Sequence, residues 1–202
     1  MLKPMNKKTL IAIITVFIVL VIDQVSKIIV KTSMRLEDSF AVFGNWFYIH
    51  FTENNGMAMG LSWGGVIGKY FLSGFRLGAI ALITYYISTL IKKKVHTGFI
   101  FCMSLILAGA VGNMIDGLFY GLYFSESSIF EVAKSFPEVG YATLMQGKVV
   151  DMLYFPMFYM PAWVPVLGGH NFFPYIFNFA DAAISVGVVS LLVFQKRFAI
   201  NF

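Results

Sequence analysis

Charge is what this 202-residue chain has least of. Asp, Glu, Lys and Arg make up 12% of it, against about 25% in an ordinary soluble domain. So small a supply cannot cover the surface of a water-soluble protein of this length. Cysteine is scarcer still: the single Cys102 excludes an internal disulfide, a thiolate metal cluster and CxxC redox chemistry. His50, His96 and His170 form no HExxH pair, which argues against a zinc-peptidase helix. There is no GxSxG elbow. Ser26 and Lys27 are adjacent, so on a helix they point apart and make a poor Ser/Lys dyad. No repeat, low-complexity tract or separate soluble domain breaks the chain, and no metal or cofactor is expected.

Apolar residues are abundant. Hydrophobic side chains are 58% of the sequence, aromatics 17%, and Phe alone occurs 22 times. This excludes disorder and leaves an integral membrane protein. About 20 apolar residues in a helix cross roughly 30 Å of hydrocarbon. Four stretches qualify: about 9–29, 69–91, 97–115 and 175–194. The whole chain reads as a single membrane domain, 1–202, with long connections at about 34–68 and 118–174. Lys3, Lys7 and Lys8 precede the first stretch, Lys92, Lys93 and Lys94 join the second to the third, and Lys196 and Arg197 follow the fourth. With four spans these segments share one side, which the positive-inside rule makes cytoplasmic. The net charge of +5 thus reports orientation rather than a nucleic-acid partner. The amino-terminal stretch has no small-x-small cleavage site and reads as a retained first helix. Alternating residues between Phe40 and Phe51 suggest short strands at the membrane surface, and the aromatic run from Tyr154 to Trp163 suggests an interfacial segment.

The informative residues are acids in apolar surroundings, since intramembrane charge is costly. Asp23 lies 15 residues beyond Lys8, and Asp181 lies 15 before Lys196. Both therefore sit roughly 22 Å above the cytoplasmic lysines. Asp116 closes the third stretch slightly higher, and Asp151 stands in a largely apolar run of the second connection. Four carboxylates converge near the outer interface. Each has a plainer reading: Asp23 and Lys27 suit a helical i,i+4 ion pair, and Asp116 before Gly117 suits a helix end. Asp181 has Asn178 on its face and no nearby cation in sequence, which favours function. Asn54-Asn55-Gly56 is either a turn or a backbone that approaches a substrate closely. Two carboxylates sharing a site cannot both ionise easily. One can then activate water while the other polarises a carbonyl, the chemistry of metal-free amide hydrolysis. Buried acids also mark ion paths, so a small ion or solute transporter is the alternative.

Taken together, these pieces resemble the lipoprotein signal peptidases (signal peptidase II), aspartic peptidases of the bacterial plasma membrane. The matching residues are Asp23-Gln24-Val25-Ser26-Lys27, Asn54-Asn55-Gly56-Met57-Ala58, Gly112-Asn113-Met114-Ile115-Asp116, Val149-Val150-Asp151 and Phe177-Asn178-Phe179-Ala180-Asp181. The resemblance implies an all-α integral membrane protein: four transmembrane helices with a small extracytoplasmic β-cradle and an interfacial helix. It implies a monomer that removes signal peptides from prolipoproteins, cutting before a diacylglyceryl-modified Cys. It makes Asp151 and Asp181 the catalytic pair, with Asn54, Gly56, Asn113, Asp116 and Asn178 lining the site and Asp23 and Lys27 supporting it. Two departures stand out. Gly117 occupies the position where the family usually has Arg, with Lys148 or Arg76 as candidate substitutes. The insertion Ser125–Gln146 is long for the family and reads as a lid, a surface ornament or a disordered loop.

Overall fold

A computed structural model describes residues 6–55, 65–163, 169 and 171–198, with Val66 by its backbone alone. Among them, helix α1 covers Lys7–Ser33, strands β1 and β2 cover Ser39–Phe43 and Phe47–Asn54, α2 covers Gly65–Lys92 and α3 Thr97–Ile115. A π-helical stretch, Asp116–Tyr120, leads into the short α4, Gly121–Tyr123; then follow β3 (Val149–Tyr154), β4 (Ile176–Phe177) and α5 (Phe179–Val193). Three helical runs, Lys7–Ser33, Ile67–Lys92 and Thr97–Tyr123, are long and apolar enough to cross a membrane. Phe17, Phe71, Phe75 and Leu82 on the first two of these are each 65% exposed or more. Apolar surface on that scale needs an apolar surrounding.

The chain divides into two compact units: residues up to Gln24, Tyr70–Ile115 and residues from Phe179 onward form one, and Val25–Lys69 with Asp116–Asn178 the other. In the first, Ala12, Ile87, Leu90, Val95 and Ile100 are a buried cluster. The Lys8 ammonium donates to the carbonyls of Lys94 (2.8 Å) and Val95 (2.6 Å), satisfying acceptors just past the carboxyl end of α2. Helices α3 and α5 pack on small residues. A Cβ on Gly109 would lie 2.2 Å from the Ala180 carbonyl oxygen, and one on Gly187 would lie 2.8 Å from that of Cys102. Contacts this close, rather than any hydrophobic drive, hold helices together in lipid.

The second unit is built on one antiparallel sheet in the order β1-β2-β3-β4. Its central strand β3 is buried from Val149 to Leu153. The strands expected between Phe40 and Phe51 are β1 and β2. Two expectations are corrected here. The apolar stretch 175–194 is helical only over Phe179–Val193; Ile176 and Phe177 pair instead with Tyr154 and Leu153, because the open edge of β3 offers backbone partners that a helix start would leave unused. The aromatic run Tyr154–Trp163 contains no helix. Pro156 and Pro161 remove backbone donors, and the rings stack, as in Phe47–Phe155 at 4.6 Å. The short interfacial helix that the resemblance implies does not fall there.

The second correction concerns Asp116 and Gly117, which do not end the helix. The chain stays helical to Tyr123 through the π turn. A π turn frees carbonyls from the ordinary ladder, and the insertion meets the backbone oxygens along this segment. Gly147, Met145 and Ala142 donate their amides to Gly117 (2.9 Å), Leu118 (3.2 Å) and Gly121 (2.9 Å), and Phe136 donates to Tyr123 (2.7 Å). Glycine is required at the closest approach, since a Cβ on Gly147 would stand 2.1 Å from the Asp116 carbonyl oxygen. Ser125–Gln146 is therefore strapped along the helix end rather than being a disordered loop.

The packing of α3 against α5 yields a direct check. Gly109→Ala must push two backbones apart and is expected to destabilise the protein by about 1–3 kcal/mol. Gly78→Ala, where a Cβ meets nothing within 4 Å, is expected to stabilise α2 by up to about 1 kcal/mol. Thermal unfolding of the two detergent-solubilised variants measures both.

Candidate active site

The second unit contains the more elaborate carboxylate. Asp151 sits on β3 opposite Thr52 of β2, with Val149 opposite Asn54. Side chains two apart on a strand share a face, so Asn54 and Asp151 meet diagonally across the two strands. The Asn54 amide donates to Asp151 Oδ2. From just beyond β4, the Asn178 amide donates to Asp151 Oδ1 (2.7 Å) and to the Val150 carbonyl (3.2 Å). Both carboxylate oxygens are thus held by neutral amides, and Asp151 is almost wholly buried.

Asp116 does a different job. Its Oδ2 takes the Lys27 ammonium at 2.8 Å, both side chains being fully buried, and also accepts the amide of Val150 at 3.3 Å. The ion pair anchors the residue next to Asp151, so Lys27 and Asp116 act on Asp151 through the backbone of β3. Lys27 thus supplies a cation to Asp116. Lys148, one of the candidate substitutes, is turned elsewhere: its ammonium lies 3.2 Å from Glu126 and 3.8 Å from Glu53. A Cβ on Gly117 would meet nothing within 4 Å.

The first unit holds the other acids. Asp181 stands in the first turn of α5, where its Oδ1 accepts the Asn113 amide at 2.7 Å. Asp23 is fully buried and accepts the backbone amide of Ala180 on Oδ1 (2.9 Å) and the Gln24 amide on Oδ2 (3.0 Å). A carboxylate on an orphan amide of a first helical turn is a cap, here supplied by another helix. Gly112 lets it approach, because a Cβ there would meet Asp23 Oδ2 at 2.6 Å. Gln24 also reaches the Gly112 carbonyl at 3.2 Å.

The residues singled out in sequence therefore fall into two groups, Asn54, Asp116, Asp151, Asn178 and Lys27 in one unit and Asn113, Asp181 and Asp23 in the other. Gly56 lies outside the described residues. A second set was not anticipated: Lys31, Ser127 and the Glu53 side chain, which are buried, with the half-buried Tyr141 beside them. Its signal was present: Lys31 lies one helical turn beyond Lys27, and Glu53 directly precedes Asn54 as the one acid of β2. Burial pushes the Tyr141 phenol well above its usual range, against the amide of Lys148, which hydrogen-bonds its oxygen at 2.7 Å.

Long apolar helices, a small antiparallel sheet and carboxylates held in the interior define a membrane-embedded protein with a polar site. The family model described as Signal peptidase (SPase) II matches residues 15–196, and the chain belongs to that family. A lipoprotein signal peptidase of Porphyromonas gingivalis is 47% identical over 188 residues, covering 90% of this chain and 81% of that protein. One from Amoebophilus asiaticus is 36% identical, covering 90% and 75%. Two solved structures, both described as bacterial membrane enzymes, share the fold. One has a TM-score of 0.60 at 24% identity, covering 95% of this chain and 91% of its own. The other has 0.59 at 25% identity, covering 91% of each. The transporter alternative finds no support among these relatives.

The buried ion pair makes the site sensitive in a specific way. Lys27→Met takes the ammonium away from the buried Asp116 carboxylate and is expected to cost about 3–5 kcal/mol. Lys27→Met with Asp116→Leu removes both charges and is expected to recover most of that loss. Melting temperatures of the single and double variants in detergent decide it.

Proposed function

We propose that this protein is an aspartic endopeptidase of the bacterial plasma (inner) membrane. It removes signal peptides from diacylglyceryl-modified prolipoproteins, cutting before the lipidated Cys, and it acts as a monomer among membrane lipids without a cofactor. The observation that carries the reading is the way asparagine amides hold the two carboxylates: Asn54 and Asn178 donate to the two oxygens of Asp151, and Asn113 donates to Asp181. An amide orients a carboxylate without neutralising it, which suits a group that must exchange protons during a reaction.

In this reading α5 is the core of a fourth span, the termini are cytoplasmic, and the sheet is an extracytoplasmic cradle. Asp151 and Asp181 share one proton and one water. The charged carboxylate takes a proton from the water as its oxygen attacks the scissile carbonyl, and the other gives its proton to the carbonyl oxygen. The tetrahedral intermediate is neutral, and its collapse returns a proton to the departing amine. The pair titrates as a unit, so acid and base roles belong to both. Asn54, Asn113 and Asn178 hold the carboxylates, and Gly56 belongs to the segment that would pass close to the substrate.

Asp151→Asn and Asp181→Asn are each expected to lower cleavage of a diacylglyceryl prolipoprotein in proteoliposomes by about 10³-fold or more, with both proteins still folded. Full activity in either variant refutes the pair. The wild type is also expected to cleave the lipidated precursor at least tenfold faster than its unlipidated form, on the order of one well-buried apolar contact or more. Equal rates on the two precursors would remove the lipid from the substrate definition.

A further inference from the structure

The buried set around Lys31 lies outside the machinery above. Lys31 occupies the last turn of α1, and Glu53 the penultimate position of β2. The Lys31 ammonium donates to Glu53 Oε1 and, at 2.8 Å, to the Ser127 hydroxyl. That hydroxyl donates in turn to Glu53 Oε1 at 2.9 Å. The rings of Phe124 and Tyr141 flank the ammonium at 5.5 and 5.1 Å from their centroids, within cation–π reach. Lys31 is fully buried and Glu53 nearly so. Glu53 Oε2 makes no hydrogen bond and has the Lys148 ammonium at 3.8 Å. Ser127 and Tyr141 come from the insertion, and Lys148 stands two residues beyond its end.

We infer that the insertion is a brace for the active site, and that Lys31, Glu53 and Ser127 are positioning residues for Asn54. The inference rests on the peptidase reading for its kinetic consequence only. Successive side chains of a strand point to opposite faces. The Glu53 carboxylate is clamped on one face of β2, and the next residue, Asn54, presents its amide to Asp151 on the other. Glu53 and Asn54 pair with Val150 and Val149, the two residues that precede Asp151. The register between Ile49 and Thr52 is irregular, so the end of β2 needs an anchor of its own. A charged group locked by a lysine, a serine and a second lysine supplies one. The strap of backbone hydrogen bonds onto the π turn and α4 keeps Ser127 and Tyr141 in place for it. The insertion thus acts by fixing the strand rather than by opening and closing.

Two variants test this in the full-length protein in proteoliposomes. Ser127→Ala removes the central hydroxyl. Lys31→Met with Glu53→Leu removes both charges together, so neither is stranded. Each is expected to lower kcat about tenfold while KM stays within about twofold, as a small misplacement of a site group does. In an Asn54→Ser background the further loss from Ser127→Ala is expected to shrink below about twofold, because the route through Asn54 is already broken. Hydrogen–deuterium exchange, which needs no substrate, is expected to rise in peptides covering 47–54 and 149–154 and to stay unchanged in 97–107. Unchanged exchange in the two strand peptides, or an equal tenfold loss in the Asn54→Ser background, overturns the brace. A wild type that fails to cleave any prolipoprotein overturns the peptidase reading instead and leaves the exchange result to decide this one.

Discussion

The second unit depends on the placing of one ammonium. Lys27, fully buried, meets Asp116 at 2.8 Å, and the same carboxylate oxygen accepts the Val150 amide. In water such a pair would contribute little. In an apolar interior a charge is costly without an opposite one, so the pair fixes where the π turn that begins at Asp116 stands relative to β3. Asp151 follows Val150 directly, and its two oxygens are then claimed by Asn54 and Asn178. Lys27, Asp116, Val150, Asp151 and Asn178 form one chain of contacts, each restricting the next.

The first unit solves a similar problem with smaller means. A helix that starts in apolar surroundings exposes amides that need acceptors. α5 receives one from Asp23 of α1, across a gap kept open by Gly112. Asp181 occupies the same first turn and is held by Asn113 of α3. The small residues Gly109 and Gly187 bring α3 and α5 close enough for this. Packing and polar satisfaction are here the same requirement, because every polar group in such a place must find its partner within the protein.

Much of the polar logic could be read without coordinates. Scarcity of charge marked the membrane class, and the acids in apolar runs are the ones that take specific polar partners inside the protein. Period-two alternation marked β1 and β2. The motifs around Asp23, Asn54, Asp116, Asp151 and Asp181 carried the family resemblance that the comparisons bear out. Partnerships were harder to read. Lys27 lies one helical turn from Asp23, which suggested a local ion pair; that it also meets Asp116, 89 residues away along the chain, no spacing announced. Gly117 looked like a helix end because glycine often is one, but a π turn carries the helix past it, and the carbonyls it frees receive amides from a segment that reads locally as loop.

The sequence by itself determined class and family, because both depend on which residue types an apolar chain can afford to keep. Only the tertiary structure decided which side chains meet: that Asp116 takes Lys27, that Asp23 caps α5, that Glu53 is locked by Lys31 and Ser127. The physical reason is that hydrogen bonds and ion pairs are short-ranged and directional. Their partners are chosen by strand register and helix packing, which bring together residues that no spacing along the chain connects.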